Sequence, residues 1–94
     1  MAVKREPMKA SRVAIAGKSK HRRALAITVR ELRARRGLTQ EQLSEAAGRS
    51  RGFVAELESG RRGASYEAVA AVAEALDVPM EEFGRVFDAR LSEQ

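Results

Sequence analysis

The stretch Thr39-Gln40-Glu41-Gln42-Leu43-Ser44-Glu45-Ala46-Ala47-Gly48-Arg49-Ser50-Arg51-Gly52-Phe53-Val54-Ala55-Glu56-Leu57-Glu58-Ser59-Gly60 decides the fold. The Thr39 side chain is placed to accept from the backbone of a first helical turn, and Gln42 is placed to reach back to the Thr39 amide. That reciprocal arrangement is a capping box. Leu38 before the cap and Leu43 after it have the spacing of a hydrophobic staple. Gly48 ends this helix after about two turns, as glycine does where the chain must turn left-handed. Ser50 is a good cap for the helix that follows, and Gly60 is a good stop. Val54 and Leu57 form its inward pair. The stretch therefore predicts two short helices joined by a tight turn.

The same reading extends outward in both directions. Leu25, Val29, Leu32 and Arg36 share one face of a helix predicted from about Ala24 to Arg36, closed by Gly37. Downstream, Ser65 opens a helix carrying Val69, Val72, Ala73 and Leu76, and Asp77 and Pro79 break it. The last helix starts near Met80 and holds Phe83, Val86, Phe87 and Leu91. Glu81 and Glu82 sit in its first turn, where the helix dipole favours acids. No strand alternation appears, so the expected fold is all-α with five helices in residues 23–94. Residues 1–22 contain Pro7 and Gly17, lack sustained periodicity and read as a flexible basic arm. Within it Ala16-Gly17-Lys18-Ser19 is not a phosphate-binding loop, because Arg12 stands where that motif needs its first glycine.

Composition excludes several classes of function. The chain has 94 residues, one His, no Cys and no Trp. A disulfide framework, a thiolate metal site and a cysteine nucleophile are absent, and no His pair is available for acid–base work. No metal, cofactor or catalytic residue is expected. No apolar run approaches the ~20 residues of a membrane span, so a cytoplasmic protein is expected. Charge is segregated: residues 1–24 carry eight bases against one acid, and residues 64–94 carry two bases against seven acids. A basic end of this kind suits a polyanion partner or, more simply, a solvated tail.

Two short helices joined through Gly48-Arg49-Ser50 make a helix-turn-helix by spacing alone. In such a unit the second helix presents its first side chains to base edges in a major groove about 12 Å wide. Many helical hairpins share that spacing. The residues themselves narrow the field. Val29-Arg30-Glu31-Leu32-Arg33-Ala34-Arg35-Arg36-Gly37-Leu38-Thr39-Gln40-Glu41-Gln42-Leu43, together with Ala47-Gly48, Ser50 to Val54, Leu57 to Arg62 and Ala75 to Val78, resembles the lambda-repressor-like helix-turn-helix family (phage repressor/Cro, xenobiotic-response-element). The resemblance covers roughly residues 25–87. It implies a five-helix domain whose second and third helices read double-stranded DNA.

The resemblance also implies roles for individual residues. Gln40 matches a position that contacts a phosphate and buttresses the reader helix. Arg33 and Glu58 match a structural, partly buried ion pair. Arg51, Gly52 and Glu56 fall at base-reading positions, with Phe53 beside them. Arg51 either donates two parallel bonds to guanine O6 and N7 or clamps a phosphate. Gly52 either lets the helix approach closely or lets Arg51 swing, at a cost of up to ~1 kcal/mol of helix propensity. Phe53 is either a core-edge residue or a contact to a thymine methyl. Glu56 either accepts from cytosine N4 or orients Arg51, the second being favoured because phosphates repel an acid. Arg61 and Arg62 follow the reader helix, where phosphate is often contacted. Thr39, Arg49 and Ser50 join the expected phosphate set, as do Lys20, Arg22 and Arg23 from the arm.

Arg49 departs from the family pattern, which puts an aliphatic plug there, and Pro79 replaces a usual Ser or Thr cap. The last helix carries a surplus of apolar residues. Phe83, Val86, Phe87 and Leu91 are expected to form a homodimer interface, which would set two readers about one turn apart, ~34 Å, on a palindromic site. The alternative is that Phe87 folds back onto the first helix. The expected function is a bacterial or phage-type transcriptional regulator, not an enzyme, acting as a stand-alone repressor, a restriction–modification controller or an antitoxin. A toxin or polymerase is then a further protein partner. The competing expectation is a protein-interaction module that keeps the fold without specific DNA binding.

Overall fold

The computed structural model describes the backbone of residues 7–94 and the side chains from Lys20 onward. Five helices follow one another: α1 Pro7–Arg36, α2 Gln40–Ala46, α3 Phe53–Glu58, α4 Tyr66–Ala75 and α5 Met80–Leu91. Among the described residues there is no strand.

Three of the helices, α2, α4 and α5, start and stop close to where local chemistry places them. Thr39 caps α2: its oxygen accepts from the Gln42 amide at 3.0 Å, and the Gln42 carboxamide accepts from the Thr39 amide at 2.9 Å. Ser65 caps α4 through the Ala68 amide at 3.1 Å. Gly37 and Gly48 both take positive φ after helix ends. At each, the next amide bonds back over the last turn, from Leu38 to the Arg33 carbonyl oxygen and from Arg49 to that of Ser44. This is the Schellman closure. Asp77 fills the same left-handed place after α4 with φ 61°, and its amide and that of Val78 close the turn on Glu74 and Ala73.

Two boundaries differ from the sequence reading. α1 begins at Pro7 rather than near Ala24, so helical backbone runs on through positions 7–22; residues 1–6 lie outside the described residues. Proline is well tolerated at a first helical position, and the Ala, Lys, Arg and Met that follow favour helix. Periodicity detects only a helix with an apolar stripe, and this stretch has none. The second difference is in α3, which begins at Phe53 with Gly52 in the capping position, not Ser50. Ser50 instead accepts the Phe53 amide through its carbonyl oxygen at 3.0 Å.

The core gathers one apolar face from each helix. Leu25, Val29 and Leu32 of α1 meet Leu43 of α2, Phe53, Val54 and Leu57 of α3, Ala68, Val72 and Ala73 of α4, and Phe83 of α5. α1 packs against α3 and α5, and α2 against α3 and α4. Arg36 lies off this face, exposed, 3.5 Å from Asp77. Part of the apolar surplus of α5 finds cover within the chain. Phe83 is 3% exposed and belongs to the core, so it is not surface for a second copy. Val86 and Phe87 pack against the core edge, and the Phe87 ring stands 6.1 Å from the His21 ring of α1. The earlier start of α1 supplies this cover. Arg90 fastens the far end of α5 by pairing with Glu31 of α1 at 3.1 Å and with Glu93 at 2.7 Å.

Candidate nucleic-acid interface

The orientation of α3 is set by one buried carboxylate. Glu58 ends that helix with its side chain only 2% exposed. Arg33 of α1 grips it side-on, Nε to Oε2 at 2.7 Å and Nη2 to Oε1 at 3.0 Å. The remaining edge of the same guanidinium donates from Nη1 to the Leu38 carbonyl oxygen at 2.7 Å. The Gln40 Nε2 adds a bond to Glu58 Oε1 at 2.8 Å, and Arg30 Nη2 donates to the Glu58 carbonyl oxygen at 3.2 Å. One acid therefore ties α1, the segment before α2, α2 and α3 together. The hydrogen bonds to Glu58 raise the Arg33 pKa above its ordinary value, against the opposing effect of burial. The expected Arg33–Glu58 pair is present and partly buried. Gln40 is turned inward to the same acid.

A second tie, between α2 and α3, comes from Ser44, which sequence reasoning did not single out. It is fully buried. Its hydroxyl donates to the Gln40 carbonyl oxygen at 2.9 Å and accepts from the Val54 amide at 3.0 Å. Gly52 has no side chain to cap α3, so Ser44 performs that task from the neighbouring helix. The only sequence signal for it is a serine on the inner face of α2.

The expected base-reading residues separate into different settings. Arg51 is exposed and lies just before α3, with Nε 3.2 Å and Nη2 3.3 Å from the two carboxylate oxygens of Glu41. Its acid is on α2, not the Glu56 that the sequence reading paired with it. Glu56 instead takes Arg62, whose Nη1 is 3.0 Å from Oε1. Phe53 is 6% exposed, with the Arg62 guanidinium 4.9 Å and that of Arg49 5.7 Å from its ring centre. It is a core-edge residue under a cationic cover. Gly52 has φ −91° and lies outside the helical turns, so the interior propensity cost does not apply. A Cβ built there would meet nothing within 4 Å.

The basic residues around this face are brought together in part. The Arg22 Nη1 donates to the Arg61 carbonyl oxygen at 3.3 Å, which joins α1 to the segment after α3. The Arg61 backbone and side chain both bond the Ser59 hydroxyl. Lys20, Ser50 and Thr39 are exposed. Arg49 is half-buried, and its Nε has no hydrogen-bond partner among the described residues. Arg23 is not drawn to this group: its Nε donates to Gln94 beyond the end of α5 at 3.1 Å. Among the described residues no cluster of His, Asp or Glu has metal-holding geometry, and no helix is long and apolar enough to cross a membrane.

Comparison with known proteins points in one direction. A family model described as a helix-turn-helix domain matches residues 24–85. A crystal structure of the clp gene regulator ClgR from Corynebacterium glutamicum is 34% identical, with a TM-score of 0.73 over 79% of this chain and 79% of that chain. A second crystal structure of that regulator is 35% identical, with a TM-score of 0.68 over 73% of this chain and 90% of the other. No curated protein matches the sequence.

Proposed function

This chain belongs to the helix-turn-helix domain family, and from that premise we propose that it is a DNA-binding transcriptional regulator. The observation that carries the reading is the lock on α3. Arg33, Gln40 and Ser44 hold this six-residue helix in one orientation, with exposed Arg51 at its leading end. A reader must be rigid where it meets base edges, because discrimination requires donors at fixed positions. The similarity to a gene regulator supports the same assignment.

In this proposal Arg51 reads a guanine. Arg49, Arg61, Arg62 and Arg22, with Lys20, Thr39 and Ser50, make contacts along the phosphate backbone. Gln40 keeps its bond to Glu58 and offers its outer edge to a phosphate. Two copies bind a palindromic site, meeting along the half-buried edge of α5 at Val86, Phe87 and Leu91. Occlusion of a promoter is then sufficient for repression. The test is selection of the purified protein on a random duplex library at ~150 mM salt, a stringent level for phosphate-only binding. The expected product is a two-fold symmetric motif with half-sites about one helical turn apart. Absence of any enriched sequence would overturn specific recognition, and enrichment of a single half-site would overturn the dimer.

A further inference from the structure

We infer that Glu41 is a specificity-determining residue: it positions Arg51 so that the outer edge of the guanidinium, rather than its whole reach, is offered to a base. The inference rests on the proposed role of Arg51 in base reading and goes beyond it. A guanidinium carries five N–H donors in a rigid plane. The side formed by Nε and Nη2 matches one carboxylate, and the end formed by Nη1 and Nη2 matches another pair of acceptors. In this chain Glu41 occupies the side, with Oε2 3.2 Å from Nε and Oε1 3.3 Å from Nη2. The end is left as a two-pronged donor, the fork that guanine O6 and N7 accept.

The same molecule contains the completed form of this arrangement. Glu58 holds the identical side of Arg33, and the Nη1 at its end donates to a carbonyl oxygen, that of Leu38, at 2.7 Å. At Arg51 the same side faces Glu41 through one hydrogen bond, from Nη2, with Nε at ion-pair distance, while no other bond from its guanidinium exists among the described residues. The neighbouring arginine is tethered separately: Arg62 pairs with Glu56 and lies over Phe53. Glu41 and Glu56 thus each have their own arginine, and Glu41 is the acid paired with Arg51.

An unheld arginine, with its many rotamers, can donate to phosphates and to several bases. Held side-on, it loses that freedom before binding, so the loss does not weigh on the correct complex. Glu41 also sits beside a polyanion, which gives it a second, opposite effect. Removing its charge strengthens binding to every duplex by lowering repulsion. Positioning and repulsion separate cleanly, because the first changes the ratio of affinities between sequences and the second does not.

The experiment uses the full chain and the duplex enriched from the random library, together with a duplex in which the guanine assigned to Arg51 is replaced. Wild type, E41Q, R51A and the double variant E41Q/R51A are compared by competition binding at two salt concentrations. R51A is expected to lower the affinity ratio by about 5- to 150-fold, the range for one bidentate base contact. E41Q is expected to lower it by about 2-fold, since the pair is exposed and therefore weak and a neutral partner holds the guanidinium roughly half as strongly, while affinity for the replaced duplex rises. In the double variant E41Q adds no further loss of discrimination. Melting midpoints are taken alongside, with binding read well below them. If E41Q strengthens both duplexes equally and the ratio stays fixed, Glu41 only repels phosphate and the inference is overturned while the guanine contact stands. If R51A leaves the ratio unchanged, the base-reading role fails and the inference falls with it.

Discussion

Replacing Glu58 with alanine tests the claim that the orientation of α3 depends on a buried ion pair. The substitution removes both bonds from Arg33 and the bond from Gln40, and leaves a guanidinium in a largely buried site. Breaking a buried pair from one side costs about 3–5 kcal/mol, because the remaining charge has no partner. Arg33 retains 19% of its side-chain exposure and still reaches the Leu38 carbonyl oxygen, which places the cost at the lower end, about 3 kcal/mol. For a domain of this size that is a fall of roughly 10–20 °C in melting midpoint. It is also a large share of a total stability on the order of 5–15 kcal/mol. Urea unfolding followed by circular dichroism reads it directly, provided the slope is unchanged between variants. The apolar double variant R33M/E58L should lose much less than E58A alone, since it leaves no uncompensated charge. A loss below about 1 kcal/mol for E58A would place the network with exposed surface pairs, and the reasoning would be refuted.

Three further outcomes are expected. Ser44→Ala leaves the Val54 amide buried without an acceptor, and should cost about 1–2 kcal/mol in chemical denaturation; an unchanged midpoint would mean that α3 finds another cap. Gly48→Ala and Gly52→Ala form a contrasting pair, since neither Cβ would meet an atom within 4 Å and only Gly48 has positive φ. The first should destabilise by about 1 kcal/mol and the second should leave the melting curve in place, so equal effects would contradict the backbone argument. Arg62→Ala should weaken binding to all duplexes alike and reduce the salt slope by ~1, as for a lost phosphate contact; a sequence-dependent loss would reassign Arg62 to base reading.

What the sequence made legible was what lies close along the chain. The Thr39–Gln42 box is a bond between near neighbours, and residue type and spacing determine it. The left-handed glycines after α1 and α2 are legible for the same reason. Glu58 and Arg33 stand far apart in sequence, and no local rule links them; family resemblance supplied that pair. Glu41 and Ser44 were passed over because each acts across the turn between α2 and α3, and an acid or a serine on a short helix carries no local mark of such a task. Glu56 meets Arg62 and not Arg51, and helix spacing does not foretell this, because it shows which residues share a face and not which long side chains meet. The first turns of α1 were missed for a different reason: periodicity registers burial, and a helix without an apolar stripe leaves no such trace.

The bond from Ser44 to Val54 has a consequence for the order in which the molecule assembles. A segment of six residues is far too short to hold helical form unaided in water. Gly52 has no side chain to offer the first turn, and the acceptor for the Val54 amide arrives only when α2 is in place. α3 therefore forms only on condition of its neighbour. A nascent or partly opened chain that has not docked α2 has no α3 to present. Under the proposed function, loss of the α2–α3 contact and loss of sequence reading are then one event.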